Sequence, residues 1–317
     1  MKRFLLSAIT IIAAGTFISC NQNVDGLDNT NPNVKVEVNF ATNITKVELP
    51  TTRMSGTTWD ANDSIGIFMF EKASTTVVED MNNIKYVTAT GGLKGSFLPA
   101  DETIFFPDNG DEVRFMSYYP YTSEISTFTY NVDVSDQTNQ SAIDLLYSFA
   151  DAAFYDKETP DKKVSLMFNH KLTKIIINIR PGEGLEDEDI INTVVTFEKF
   201  NTKADFNLIT GALSNPTELK TITSKKMTTA ANGYKVSFES IVLPVVDPST
   251  TKIVFDLNNG DTGNGINSDL FTWNFNTDEL QSGFEYIYNV TVKRSGIVVE
   301  AEIKEWEDGG DKEIIAE

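Results

Sequence analysis

The 317-residue chain has one cysteine and one histidine, and this scarcity excludes several classes of protein. With Cys20 as the sole thiol, no intramolecular disulfide can form, so the fold must be stabilised by apolar burial and sheet pairing. A catalytic triad would have to use His170, and no Gly-x-Ser-x-Gly motif accompanies it. Zinc sites lack the Cys and His side chains that they need. The sequence therefore predicts a protein that is not an enzyme and holds no metal or other cofactor, in which His170 is structural at a strand start.

Positive charge is also scarce, since 26 Lys and Arg residues face 46 Asp and Glu residues and the net charge is −20. Such an acidic surface repels nucleic acid, so nucleic-acid binding is excluded. The abundant carboxylates leave a glycosidase-type hydrolase open as an alternative. Two loops rich in Asp and Asn, 60–64 and 258–269, lack the spacing of an EF-hand, and we expect solvated turns there.

The N-terminus has the features of a bacterial lipoprotein leader. Lys2 and Arg3 precede the apolar stretch Phe4–Ala14, which is too short to span a bilayer as a mature helix. The sequence Phe-Ile-Ser-Cys at 17–20 resembles a lipobox. We therefore expect residues 1–19 to be a signal peptide and Cys20 to carry the lipid that anchors the protein in the outer membrane. Residues 21–33 are predicted to be a flexible tether.

Alternation of apolar and polar residues recurs along the chain and predicts half-buried antiparallel strands. The first example is Val34, Val36, Val38 and Phe40; the others are Ile175–Ile179, Tyr234–Phe238, Phe284–Val292 and Ile297–Ile303. Asn-Gly dipeptides at 109, 232, 259 and 264 predict tight hairpin turns. Apart from the leader, residues 141–155 alone have the length and apolar spacing of a helix. The predicted fold is all-β, with antiparallel sheets and at most one or two short helices.

About 300 mature residues exceed what one hydrophobic core usually organises, which favours two domains. The charged segment 156–163, which contains a proline, is the candidate linker. We expect an N-terminal β-sandwich at 54–160 and a C-terminal β-sandwich at 161–317, preceded by a tether and strand at 20–53.

The aromatic run Tyr118-Tyr119-Pro120-Tyr121 has two interpretations. Tyr118 and Tyr121 are candidate adhesive aromatics that stack on sugars, and a lipid-anchored, non-catalytic glycan-binding protein is the main alternative function. Tyr119 alternates with Phe115 in a predicted strand that ends at Pro120, which instead points it into the core.

Arg53 follows the first predicted strand in a loop rich in Thr and Ser. Cleavage after Arg53 by an arginine-specific protease would detach Val34–Phe40 and leave an open groove. A strand from another copy could fill that groove by β-strand addition, and such head-to-tail contacts build filaments. The alternative is that Arg53 is an ordinary loop residue and the strand stays in place.

Several segments, taken in order, resemble the fimbrillin family of Gram-negative Bacteroides-type bacteria, the FimA-like and Mfa-like pilins. They are Cys20, Thr52-Arg53, Trp59-Asp60, Asp63–Phe68, Phe106-Pro107, Phe115–Tyr121, Asp144–Tyr147, Leu166–Ile175, Val242–Pro244, Gly283–Tyr288 and Gly296–Trp306. The resemblance implies two transthyretin-like β-sandwich domains, export as a lipoprotein through the periplasm, and polymerisation by donor-strand exchange into an adhesive fimbria.

By position, the resemblance implies lipidation of Cys20, cleavage between Arg53 and Met54, and release of a strand that includes Val34–Phe40. The donor strand would come from Ile297–Glu317. The implied partners are other fimbrial subunits, the outer membrane, an arginine-specific protease, and host or bacterial surface ligands. An arginine at this place favours a shaft or tip subunit over an anchor.

Overall fold

A computed structural model describes residues 35–44, 58–92, 94–149, 153–257, 270–275 and 279–306. Its strands are β1 Asn39–Ile44, β2 Ser64–Glu71, β3 Ile84–Thr88, β4 Lys94–Gly95, β5 Phe97–Pro99, β6 Val113–Tyr119, β7 Thr129–Asp133, β8 Leu146–Phe149, β9 Lys163–His170, β10 Thr173–Pro181, β11 Val194–Asn207, β12 Ala212–Thr223, β13 Lys225–Lys226, β14 Val236–Val242, β15 Lys252–Asp256, β16 Leu270–Asn274, β17 Phe284–Lys293 and β18 Gly296–Glu305. The helical segments are single turns: 3-10 turns at Gln140–Ala142, Pro160–Lys162 and Pro248–Thr250, and the α-helix α1 at Asp187–Ile190.

Eight strands form the largest sheet, in the order β4-β1-β9-β8-β6-β2-β3-β5. Its two outermost strands, β4 and β5, are separated in the chain by Ser96 alone, so the sheet curves back on itself. The curved sheet surrounds one hydrophobic cluster, whose members include Trp59, Ile67, Phe115 and Phe168. Period-two alternation produces this core, because successive side chains of each strand point to opposite faces.

Two further sheets have the orders β13-β14-β10-β17-β18 and β12-β11-β15-β16, and β7 also pairs with β11. They enclose a second hydrophobic cluster built from residues such as Ile177, Phe197 and Tyr288. This cluster extends to Phe68 and Phe70, which lie on β2 of the eight-stranded sheet. Strand β2 therefore contributes to both cores and is buried on both faces.

The all-β prediction is confirmed, but the helix predicted for residues 141–155 is wrong. The described part of that segment contains the end of a 3-10 turn, up to Ala142, followed by strand β8. Leu146, Tyr147 and Ser148 are all buried, because β8 lies between β6 and β9 inside the sheet. Burial on both faces removes the alternation that identifies a strand, so the apolar run resembled a helix.

The prediction of one solvated face is also wrong for β10 and β14. Asn178, Ser237 and Glu239 are buried together with their apolar neighbours. The amide Nδ2 of Asn178 donates to Oδ1 of Asn289 at 2.9 Å, and the Ser237 hydroxyl donates to Oδ1 of Asn178 at 2.7 Å. Because Asn178 and Ser237 have hydrogen-bond partners inside the sheet, their burial carries little penalty.

The segment 156–163, predicted to be an interdomain linker, connects two parts of one core. Tyr155 forms a β-bridge with Val113, and both pack in the cluster inside the eight-stranded sheet. The chain then enters β9, which pairs with β1 and β8 in that same sheet. The division into domains at 54–160 and 161–317 remains a prediction.

Two of the predicted Asn-Gly turns lie in described residues, at 109–110 and 232–233. Gly110 has a φ of +80° and Gly233 a φ of +83°, whereas Asn109 and Asn232 are not in the left-handed region. Both segments are turns, but they are not the type that needs positive φ at both central residues. The Asn-Gly pairs at 259 and 264 lie outside the described residues.

Strand β10 offers a test of the second core with two neighbouring isoleucines. Ile177 is fully buried, whereas Ile176 is only partly buried. We expect Ile177→Ala to lower the free energy of unfolding by about 2–5 kcal/mol, because it removes buried methyl groups and leaves a cavity. Ile176→Ala is the matched control and should cost clearly less. Urea denaturation of both variants measures the difference, and equal losses would contradict the assignment of faces.

Candidate functional site

Strand β1 is inserted between two strands that come from distant parts of the chain. It runs parallel to β9, in a register that places Phe40 beside Val164 and Ile44 beside Phe168. On its other side it pairs antiparallel with β4, where Thr42 faces Gly95. The chain just before β1 is also fixed, since Val38 N donates to Ile104 O at 3.0 Å. The first described segment therefore completes the eight-stranded sheet.

The inward side chains of this segment fill the core beneath them. Val38, Phe40 and Ile44 are at most 9% exposed. The Phe40 ring makes edge-on contacts with Tyr86 and Phe115, with ring centroids 5.2 and 5.3 Å apart. Burying Val38, Phe40 and Ile44 contributes roughly 4.5–9 kcal/mol, at about 1.5–3 kcal/mol per fully buried side chain. Removing the segment would expose this surface together with the backbone groups of β9 that pair with it.

Close approach of β1 and β4 depends on a glycine. The Thr42 hydroxyl is buried and donates to the carbonyl oxygen of Gly95 at 3.0 Å. A Cβ atom at Gly95 would lie 2.7 Å from Oγ1 of Thr42 and 2.4 Å from the ring of Phe97. Any other residue at Gly95 would therefore push β1 away from its place between β9 and β4, or would displace Phe97.

The first strand of the structure lies further along the chain than the predicted N-terminal strand. The prediction placed Val34, Val36, Val38 and Phe40 in one strand, whereas β1 begins at Asn39 and ends at Ile44. Val38 and Phe40 are buried as expected, Val36 is half-buried, and Val34 lies outside the described residues. Sequence reasoning missed Thr42 as a groove residue because its hydroxyl made it count as polar. Its position, two residues after Phe40, was the available signal.

A cavity of about 100 Å³ lies at the end of the groove, where β1 stops. Ile44 forms part of its wall, together with Asp63, Tyr119, Asp144 and Trp306. The Tyr119 hydroxyl donates to Oδ1 of Asp63 at 3.0 Å. Burial raises the pKa of the Asp63 carboxyl, and hydrogen bonds from the Asp60 amide and Tyr119 oppose that shift.

His170 lies beside this cavity and is held by structural contacts. Its Nδ1 atom is 2.8 Å from Oδ1 of Asp144, and its ring stacks on Trp306 with centroids 3.9 Å apart and planes 8° from parallel. The residue is the last of β9, so its predicted position at a strand start is wrong. Leu166 and Phe168 precede it on the same buried face of β9.

A buried cation lies next to the same tryptophan. The Nζ atom of Lys174 is 3.9 Å from Glu239 and 3.8 Å from Glu285, and 5.7 Å from the centre of a Trp306 ring. All three charged residues are less than 10% exposed. Glu239 is also 3.1 Å from the ammonium group of Lys225. Charges this far from water need such partners, because an unpaired buried charge is costly.

The remaining predicted site residues fall into two groups. Cys20, Arg53 and Met54 lie outside the described residues. The Tyr118 ring is fully buried, and its hydroxyl donates to Oδ1 of Asn83 at 2.7 Å, so it cannot stack on a sugar as predicted. Burial follows from its place on β6, a strand covered on both faces. Tyr121 is half-exposed beyond the strand end, and its adhesive role remains a prediction.

The Asp-rich segment 60–64 is a turn that leads into β2. Asp60 N donates to Oδ2 of Asp63 at 2.7 Å, which is a local turn contact. Among the residues that the structure describes, no group of three or more His, Cys, Asp or Glu side chains is arranged to hold a metal ion. The same residues contain no helix that is long and apolar enough to cross a membrane.

Comparison with known proteins identifies relatives along most of the chain. A family model described as "Fimbrillin-like" matches residues 52–306. The "Putative fimbrium subunit Fim1C" of Bacteroides uniformis is 33% identical over 265 residues, which cover 81% of this chain and 82% of that protein.

Solved structures with this fold include two that are described as putative cell adhesion proteins. One, from Bacteroides uniformis, has a TM-score of 0.70 and 28% identity, and the match covers 86% of this chain and 98% of that one. The other, from Bacteroides ovatus, has a TM-score of 0.67 and the same coverage, and its 24% identity supports the shared fold alone.

Replacing Lys174 tests whether the buried charges beside the cavity depend on one another. We expect Lys174→Met to lower the free energy of unfolding by about 3–5 kcal/mol, because Glu239 and Glu285 lose a buried partner. The matched control is Lys203→Met, which removes an exposed ammonium 2.6 Å from Glu218 and should have a much smaller effect. Chemical denaturation at pH 7 makes the comparison. Similar losses in the two variants would show that the buried ion pairs contribute no more than a surface pair.

Proposed function

Because the chain belongs to the fimbrillin-like family, we propose that it is a structural subunit of a surface fimbria and that it assembles by exchange of β1 for a strand of another subunit. The observation that supports this most is the seating of β1. It is a short segment at the start of the described residues, and it is held between β9 and β4 by backbone pairing and apolar side chains. A second strand with the same alternation could make the same contacts.

Loss of β1 would turn a closed sheet into an acceptor. Strand β9 would keep its pairing with β8 and expose its other edge along the register now used by Asn39–Ile44. The exposed groove would have apolar subsites at the places of Phe40 and Ile44. Because this acceptor differs from the donor, the contact between subunits is head-to-tail and extends into a fibre.

We propose that cleavage after Arg53 starts this exchange. The bond between Arg53 and Met54 lies between Ile44, the last residue of β1, and Trp59, which is packed in the core. Cutting the chain there leaves β1 attached by noncovalent contacts alone, so that an incoming strand can displace it. Before cleavage, the covalent link returns β1 to its groove whenever it dissociates, which favours the monomer.

The other parts of the proposal concern export and the donor. Lipidation of Cys20 would carry the precursor through the periplasm to the outer membrane before processing. The donor would lie within Ile297–Glu317. Strand β18, most of which lies in this range, is at the edge of its sheet and among the described strands pairs with β17 alone, so its departure would not separate two of them. Such a subunit fits the shaft or the tip of a fimbria.

Treatment of the purified precursor with an arginine-specific protease tests the processing step. We expect a ladder of detergent-resistant oligomers from the native chain and none from Arg53→Ala, because β1 then stays covalently attached. Gel electrophoresis without boiling measures the ladder, and mass spectrometry identifies the cut.

The matched control is Arg294→Ala, which removes an exposed arginine in the turn between β17 and β18. This variant should form oligomers as the native chain does. Equal oligomer formation from Arg53→Ala, or its loss in Arg294→Ala through a blocked cut at residue 294, would refute the proposed site of processing.

A further inference from the structure

The N-terminal and C-terminal strands of the described chain meet at one place. Ile44 is the last residue of β1, and Trp306 directly follows the last residue of β18. Both side chains line the cavity at the end of the groove. Strands β1 and β18 belong to different sheets, and their C-terminal ends meet at this cavity.

Trp306 is fixed by contacts on three sides. Its backbone N–H donates to the carbonyl oxygen of Gly283 at 2.6 Å, and Gly283 N donates to Leu172 O at 2.8 Å. One face of its indole stacks on His170, and the Nζ atom of Lys174 is 5.7 Å from a ring centre. The side chain is 6% exposed.

A continuous path of contacts connects the two strands. Ile44 pairs with Phe168 on β9. His170 follows two residues later on the same buried face of β9, and its ring supports the Trp306 indole. Asp144, whose Oδ1 atom is 2.8 Å from Nδ1 of His170, lines the cavity as well. Strand β9 therefore pairs with β1 and also carries His170, the residue on which the Trp306 ring stacks.

We infer that Trp306 couples the removable strand to the C-terminal strand, so that departure of β1 loosens the end of β18. Departure removes Ile44 from the cavity wall, admits water beside the indole, and frees the edge of the strand that carries His170. Coupling of this kind is reciprocal, so loss of the Trp306 indole also weakens the hold on β1. The inference rests on the proposed function in that β1 is the part that leaves.

The coupling would make release of β1 precede release of the C-terminal donor segment. In the proposed function the donor lies at the C-terminal end, beyond or including β18. A subunit that still holds β1 keeps Trp306 seated and its C-terminal segment attached to its own fold. A subunit whose groove has opened offers a loosened C-terminal segment to another copy, which suppresses pairing between unprocessed chains.

Hydrogen exchange in the uncleaved full chain tests the coupling without any assembly step. In Ile44→Ala, we expect the Trp306 amide to exchange about tenfold faster, because its hydrogen bond to the Gly283 carbonyl oxygen breaks more often through local opening. The ratio is taken against the Val290 amide in the centre of β17, which reports opening of the sheet as a whole. The milder Ile44→Val should show a smaller change in the same direction and guards against misfolding of the first variant.

The matched control is Ile84→Ala, which makes the same truncation at a buried position of β3 in the same core, outside the removable strand and away from the cavity lining. It should destabilise the fold while leaving the ratio of Trp306 to Val290 exchange unchanged. Trp306→Leu should conversely speed exchange of β1 amides relative to Val290. Equal ratios in the Ile44 variants and Ile84→Ala, or no response of β1 to Trp306→Leu, would overturn the inference. Because no cleavage is involved, this result is independent of the experiment on Arg53.

Discussion

The pairing of β1 with β9 is the interaction on which the rest of the structure depends. It closes the eight-stranded sheet, because β1 is the strand that joins β9 to the short strand β4. It also places Phe40 against Tyr86 and Phe115 and so completes the core inside that sheet. Without β1 the same sheet has an open groove and an uncovered core.

The proposed exchange of β1 for another strand relies on the chemistry of this pairing. Backbone hydrogen bonds and apolar subsites recognise an alternating sequence more than a particular one. Because the chain has a single cysteine, no intramolecular disulfide ties β1 to its neighbours, which is compatible with such exchange. Three of the buried charged groups, Lys174, Glu239 and Glu285, lie together beside the cavity at which β1 ends.

Part of this structure could be predicted from the sequence and part could not. Alternation correctly gave the inward faces of β17 and β18 and the burial of Val38 and Phe40, because a half-buried strand has a period of two. It failed for β8, β10 and β14, where both faces are covered and polar residues such as Asn178 pair inside. The partner of β1 and the cavity at Ile44 and Trp306 arise from contacts between distant segments, which no local pattern encodes.

The most direct measurement of the central claim fixes β1 reversibly in its groove. Ala41 and Ser165 are register partners on β1 and β9 and are not buried, so Ala41→Cys with Ser165→Cys places two thiols side by side. In a chain that also carries Cys20→Ser, the oxidised protein should remain monomeric after treatment with the arginine-specific protease. Reduction of the same sample should then release β1 and start oligomer formation. Oligomers that form equally fast while the disulfide is intact would contradict the account.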